Sequence, residues 1–319
     1  MTRAARPGSV RPGPVRRRAS RGALPALATA VLLAVSACGG TSGSSSGPAP
    51  VAPSGSSGSA GSADRAPLAY VALGDSYSAA PLVPTTDVAD GCFRSSSNYP
   101  SLVARALGAR LVDRTCGGAT TADLTRRQRP AIPAQDTALG SGTRLVTLGM
   151  GGNDEKVFST LVQTCARLRP QDPTGAPCRA AMRTAGGDRL LLALGRTEDR
   201  LAAAVRTVQR TSPKAQVLLV GYPHIVAGGR SCAALPLAAG DYAWAEGVNR
   251  ALTRAVEGAA RRTGATYVDV WSASRGHDIC SRDPWINGSV TDQRRALAFH
   301  PYAVEQRAVA RLVEQAVQG

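Results

Sequence analysis

Five short apolar runs constrain this chain more than any other feature: 68–73 (LAYVAL), 109–112, 144–148 (RLVTL), 216–220 (QVLLV) and 266–270. Each is of strand length and too short for a buried helix. Between and after them lie stretches of helical character, 99–107, 188–210, 242–262 and 301–317; in the second, Leu190, Leu194, Leu201 and Val205 share one face. Strands alternating with long helices form βα units, and those units build a parallel sheet. The runs are nearly continuous in apolar character, as required when both sheet faces are covered. The expected fold class is therefore α/β: a three-layer αβα sandwich on a mainly parallel five-stranded sheet of flavodoxin-like type. It should occupy 66–319, about 254 residues, a size suited to one domain. Reactive groups in such sheets sit in loops at the carboxyl ends of the strands.

The first 65 residues cannot join that core. Residues 1–37 hold seven arginines and no acid, followed by an apolar stretch from 23 to 37, the pattern of a secretion signal. The stretch ends Val35-Ser36-Ala37-Cys38, which resembles the bacterial lipobox. On that reading 1–37 is a signal peptide, Cys38 carries lipid, and 38–65, rich in Gly, Ser and Pro, forms the anchor and a flexible linker. Ordinary cleavage after Ala37, leaving a free cysteine, is the alternative. The protein is then expected to be exported and lipid-anchored on the outer face of the cell membrane, or secreted if released.

The chain carries a net charge of +16, and removing the seven signal arginines leaves +9. The remaining arginines are scattered, without a basic stripe interleaved with aromatics. Nucleic acid is therefore not an expected partner, whereas anionic envelope polymers are compatible. A monomer is expected. Apart from Cys38 there are six cysteines, an even number that reads as disulfides in an exported chain. Six allow fifteen pairings; neighbours in chain order are favoured, Cys92–Cys116, Cys165–Cys178 and Cys232–Cys280. No CxxC occurs, so neither a zinc ribbon nor a thioredoxin-type site is expected.

Three strand exits carry the candidate chemistry. The first is Gly74-Asp75-Ser76-Tyr77-Ser78, where Ser76 reads either as a helix cap or as a nucleophile. The second is Cys116-Gly117-Gly118-Ala119-Thr120-Thr121, whose glycines let backbone amides approach a ligand. The third is Gly149-Met150-Gly151-Gly152-Asn153-Asp154, where Asn153 offers a neutral donor of the kind a developing oxyanion needs. Each is also a plausible turn when taken alone. A serine nucleophile needs a base, and the chain has three histidines: His224, His277 and His300. Pro301 suits the first position of the closing helix, which would leave His300 in an exposed loop at its cap.

At these spacings GDSYS, GGATT, GGND and the late histidine resemble the SGNH (GDSL-type) hydrolases, specifically their secreted esterase and lipase branch, from residue 68 to the end of the chain. The resemblance implies Ser76 as nucleophile and His300 as general base. It implies an oxyanion hole made by the Ser76 and Gly118 amides and the Asn153 side chain. Most members place an aspartate three residues before the histidine, where this chain has Leu297. Some members resembling it use a backbone carbonyl, which makes the Leu297 carbonyl the favoured orienting group and Asp283, in DPWING, its competitor. The implied activity is hydrolysis of carboxylic esters, of lipid or small acyl type, through an acyl-enzyme and without metal or organic cofactor. The alternatives are an acetylesterase or acyltransferase on cell-envelope glycans, and an inactive envelope-binding lipoprotein. In the insert 155–187, Val157, Phe158, Leu161 and Val162 read first as core-facing positions, with an acyl channel as the second reading.

Overall fold

The computed structural model describes residues 66–319; the expected signal peptide, Cys38 and the linker lie outside the described residues. Five strands form one sheet: β1 (Ala69–Gly74), β2 (Arg110–Asp113), β3 (Leu145–Gly149), β4 (Gln216–Val220) and β5 (Thr266–Val268). Their order is β2-β1-β3-β4-β5, and every neighbouring pair is parallel. Four long helices accompany them: α1 (Tyr99–Ala106), α2 (Arg189–Thr211), α3 (Tyr242–Thr263) and α4 (Ala303–Gln318).

The three inner strands, β1, β3 and β4, are apolar on both faces because each face meets a helix layer, whereas the edge strand β2 alternates exposed with half-buried residues. Val71, Leu73, Val146, Leu148, Val217 and Leu219 share a core with α2 and α3. Tyr70, Ala72, Leu145, Leu218 and Val220 share another with α1 and α4. Each buried leucine in these layers contributes about 2 kcal/mol by removal from water. Polar Thr147 is tolerated inside because the Tyr70 hydroxyl meets its Oγ1 at 2.8 Å.

From β1 the chain passes to one side to make β2 and to the other to make β3. The order thus reverses at β1/β3, where parallel sheets open a crevice beyond their carboxyl ends. The register pairs Gly74 with Gly149, so both exits stand side by side at that crevice.

Two boundaries differ from expectation by more than one residue. β5 stops at Val268 rather than running to 270, because Asp269 accepts from the Ser272 amide at 3.0 Å and caps a short helix, Val270–Ala273. Pro301 does not start the last helix, which begins at Ala303 after an N-cap at Tyr302. The segment around Pro301 is instead held extended. Tyr302 N–H donates to the Trp285 carbonyl (2.8 Å), Asn287 N–H donates to the His300 carbonyl (2.9 Å), and Pro301 bridges Ile286. The disulfides join Cys92 to Cys116, Cys165 to Cys178 and Cys232 to Cys280, in the favoured chain-order pairing.

Candidate active site

Ser76 is not the helix cap. That role falls to Asp75, whose Oδ1 accepts from the Tyr77 amide at 2.9 Å, and Ser76 is the first residue of the short helix Ser76–Ala79. The helix starts hard against the sheet. A Cβ on Gly74 would lie 2.4 Å from Ser78 Oγ, and one on Gly149 would lie 2.5 Å from the same oxygen. The two glycines leave the room in which Ser78 donates to the Gly149 carbonyl at 3.2 Å. Gln135 clamps the end of β1, accepting from Gly74 N–H (2.8 Å) and donating to its carbonyl (2.9 Å).

Asp75 is wholly buried, and burial pushes its carboxyl up to about 7. Its Oδ2 accepts from the Tyr222 hydroxyl, which in turn accepts from Gly152 N–H at 2.9 Å. One relay therefore ties together the loops after β1, β3 and β4.

The second loop is fixed by Cys92–Cys116 and by Gly117 N–H donating to the Cys92 carbonyl at 2.9 Å. Gly118 stands at φ +76°, a left-handed conformation that favours glycine. The third loop is stitched to the second. Asn153 Nδ2 donates to the Ala119 carbonyl at 3.0 Å, leaving its other amide hydrogen free to point elsewhere. Buried Asp154 accepts from the Thr121 amide (2.9 Å) and hydroxyl (2.7 Å). Among the described residues, no protein group accepts from the Ser76 or Gly118 backbone N–H.

His300 is half-buried rather than exposed. Its Nδ1 lies 2.7 Å from the Ala298 carbonyl, not that of Leu297. The Leu297 carbonyl is already occupied by the His300 backbone N–H (3.1 Å) and by Asn287 Nδ2 (3.1 Å). Asp283 is also excluded as the orienting acid, because it serves the other histidine of this region. Its carbonyl lies 2.8 Å from His277 Nδ1 and its carboxylate 3.5 Å away, with the His277 ring stacked on Trp285. A carbonyl acceptor at Nδ1 holds the proton there and leaves Nε2 as the basic nitrogen. Desolvation lowers the His300 pKa, opposed by the Ala298 bond. His224 is remote in role, paired with Glu246 at 3.0 Å and packed on Trp271.

The loop that carries His300 is held from two sides. Asn287 Nδ2 donates to the Val290 and Ala296 carbonyls at 2.9 Å as well as to Leu297, and its Oδ1 accepts from the Tyr302 hydroxyl at 2.8 Å. Tyr77, next to Ser76, donates its hydroxyl to the Phe299 carbonyl at 2.8 Å. Phe299 sits at φ +62°, and the Tyr77 ring lies 5.7 Å from that of His300.

Ser76, Asn153 and His300 line two pockets at once. One, about 320 Å³, is walled by Tyr77, Phe158, Leu161, Val162, Ile225, Val226, Leu235 and Leu237. The other, about 440 Å³, adds Gly118, Leu82, Phe93, Arg129 and Gln293. Phe158, Leu161 and Val162 thus line a pocket. Val157 and Leu161 are also buried in the core, with Phe158 and Val162 packed against it, so both readings of this segment hold in part. Among the described residues no group of three or more His, Cys, Asp or Glu side chains is arranged to hold a metal ion.

The structure brings Ser76, Gly118, Asn153 and His300 to one crevice and leaves Asp283 outside it. Sequence reasoning missed Ala298, Tyr77 and Tyr222 as positioning groups. Asn287 sat inside the DPWING stretch without a role; its clustering of polar and turn-forming residues just ahead of the histidine was the available signal.

A hydroxyl set among neutral donors, with an oriented imidazole and an apolar pocket on the same crevice, equips a protein to cleave carboxylic esters; the chain is an ester hydrolase of the α/β class. Residues 72–304 match the model of the GDSL-like lipase/acylhydrolase family. The chain is 41% identical over 250 residues to Lipase 2 of Streptomyces coelicolor, covering 76% of this chain and 83% of that one. It is also similar to two solved structures. The extracellular lipase of Streptomyces rimosus has TM-score 0.65 and 28% identity, covering 78% of this chain and 99% of that one. The phospholipase A1 of Streptomyces albidoflavus has TM-score 0.64 and 29% identity, covering 80% and 100%. This chain therefore belongs to the GDSL-like lipase/acylhydrolase family.

Proposed function

We propose that the protein cleaves acyl esters through a Ser76–His300 dyad. The observation that carries this reading is that Ser76, Asn153 and His300 line one pocket while the Ala298 carbonyl engages His300 Nδ1. His300 Nε2 takes the Ser76 proton as the hydroxyl attacks the ester carbonyl. The oxyanion is received by the Ser76 and Gly118 amides and by the free hydrogen of Asn153 Nδ2. The alcohol departs with the proton from His300, and water repeats the sequence to release the acid. Because the acceptor at Nδ1 is a neutral carbonyl, it fixes the tautomer without an ion pair for the imidazolium.

The 320 Å³ pocket supports a fatty acyl group in preference to acetyl. It has about twice the volume of a dry cavity that accepts benzene. That favours lipase or esterase action over the glycan acetylesterase reading. The names of the Streptomyces relatives point the same way.

Export rests on residues 1–37 and on three disulfides, which persist in oxidising compartments. No helix among the described residues is long and apolar enough to cross a membrane. Attachment would fall to lipidated Cys38 with 38–65 as tether. Cys38→Ala should then release the protein from the membrane fraction, and retention there would count against lipidation.

A fluorophosphonate probe should label the protein on Ser76, and Ser76→Ala should lose the label together with about 10⁴-fold or more of kcat on a nitrophenyl ester. Full turnover in that variant would remove the basis of the mechanism.

A further inference from the structure

The two pockets that meet at Ser76 differ in kind. The acyl-side pocket presents no formally charged side chain apart from His300 if protonated. In the second pocket, which shares Ser76, Asn153, Leu297 and His300 with the first, Arg129 is the lining residue with a permanent charge. We propose that this second pocket is an anion subsite built on Arg129, which receives a phosphate or carboxylate carried on the alcohol portion of the ester. The inference rests on the serine-hydrolase reading above, since it assigns the leaving-group side of that site.

Arg129 is set up for this. Its backbone pairs with Ile132 in an isolated bridge, and Ile132 is buried with the Cys92–Cys116 disulfide, so the backbone that carries this exposed arginine is anchored to the disulfide. Among the described residues the guanidinium makes one hydrogen bond, a long Nη1 to Gly91 carbonyl bond of 3.4 Å. A Cβ on Gly91 would come within 3.0 Å of that nitrogen, so the missing side chain there leaves the guanidinium its place at the pocket wall. Among the described residues no carboxylate lies within ion-pairing distance of it, and the neighbouring acid, Asp90, is already paired with Arg94. A guanidinium keeps its charge at every working pH and offers up to five donors in a planar fork, which suits phosphate and carboxylate oxygens. Gln293, also in the lining, offers a neutral polar side chain.

The test compares Arg129→Gln, Arg129→Lys and Arg129→Glu with the native protein on matched butyrate esters, phenyl against 4-carboxyphenyl and 4-phosphonooxyphenyl. The ratio of kcat/KM values, anionic over neutral, cancels intrinsic leaving-group reactivity between enzymes. That ratio should fall about tenfold or more in Arg129→Gln, the scale of one charge-assisted hydrogen bond. It should recover partly in Arg129→Lys and drop further in Arg129→Glu. In the native protein, added inorganic phosphate should inhibit the phenyl ester, and less so in Arg129→Gln. A second arm uses vesicles of a phosphatidylglycerol against micelles of a monoacylglycerol, which separates lipid headgroups from soluble anions. Loss of the ratio in the soluble arm supports the subsite. An unchanged soluble ratio, or a loss confined to vesicles, overturns it, the latter because surface attraction would then explain the arginine. Failure of the underlying reading shows separately, as native protein that Ser76→Ala leaves active.

Discussion

Replacing Glu305 with glutamine should abolish the pH dependence that one buried acid imposes on this fold. Glu305 lies in the first turn of α4 and is 2% exposed. Gln306 Nε2 donates to its Oε2 at 2.7 Å, and no cation reaches it among the described residues. Burial raises its pKa from an ordinary 4.5 to about 8. A folded-state pKa above the unfolded one means that the group's contribution is fully present below about pH 4.5 and is lost as pH rises toward 8. Over that interval the unfolded chain releases a proton that the folded chain retains. At about 1.4 kcal/mol per pH unit, the loss is about 3 kcal/mol by pH 7 and levels off near 5 kcal/mol above pH 8. Glutamine keeps the shape and an acceptor for Gln306 but cannot ionise. Glu305→Gln should therefore match or trail the native protein at pH 4.5 and exceed it by a few kcal/mol at pH 9. Denaturant unfolding at pH 4.5, 7 and 9, with m unchanged, reads the difference directly. A difference that is flat with pH, or that grows toward acid, would refute the burial argument. The position also bears on the site, because the same Gln306 amide donates to the Tyr77 carbonyl at 3.0 Å and its Oε1 accepts from Tyr99 N–H at 2.7 Å.

Three further outcomes follow from the geometry. The acid limb of kcat/KM should have its midpoint below 6.5, because desolvation lowers the His300 pKa and the neutral ring is the base; a midpoint above 6.5, or one that shifts in Glu305→Gln, would assign the limb to another group. Tyr77→Phe deletes the bond to the Phe299 carbonyl, so it should cost about 1 kcal/mol in chemical unfolding and lower kcat more than it raises KM; unaltered kcat would show that the His300 loop does not need it. Leu235→Trp should fill the acyl-side pocket, so that a nitrophenyl ester series from acetate to palmitate shifts its optimum toward short chains; an optimum that stays put would place the acyl group elsewhere.

Local chemistry reached far in this chain. Apolar runs of strand length alternating with long helices form βα units whose strands pair in parallel, and the inner three, β1, β3 and β4, bury both faces. That determined the α/β class and put Ser76, Gly118 and Asn153 on successive strand exits before any coordinates. The glycines at 117 and 118 were likewise readable as letting backbone amides approach a ligand, whereas the close packing of Ser78 on Gly74 and Gly149 was not. Nor was the partner of His300. Whether the carbonyl of 297 or 298 meets Nδ1 depends on the backbone angles of one loop, including Phe299 at φ +62°. Those angles are imposed by contacts to Tyr77, Asn287 and Trp285, as far as 222 positions away in the chain. The same holds for Asp283, which its place in the DPWING stretch made the competing acid and the fold gave to His277. Periodicity and turn chemistry act over a few residues and can be read from them; the facing of one carbonyl toward one ring nitrogen is settled by packing between segments that only the tertiary structure brings together.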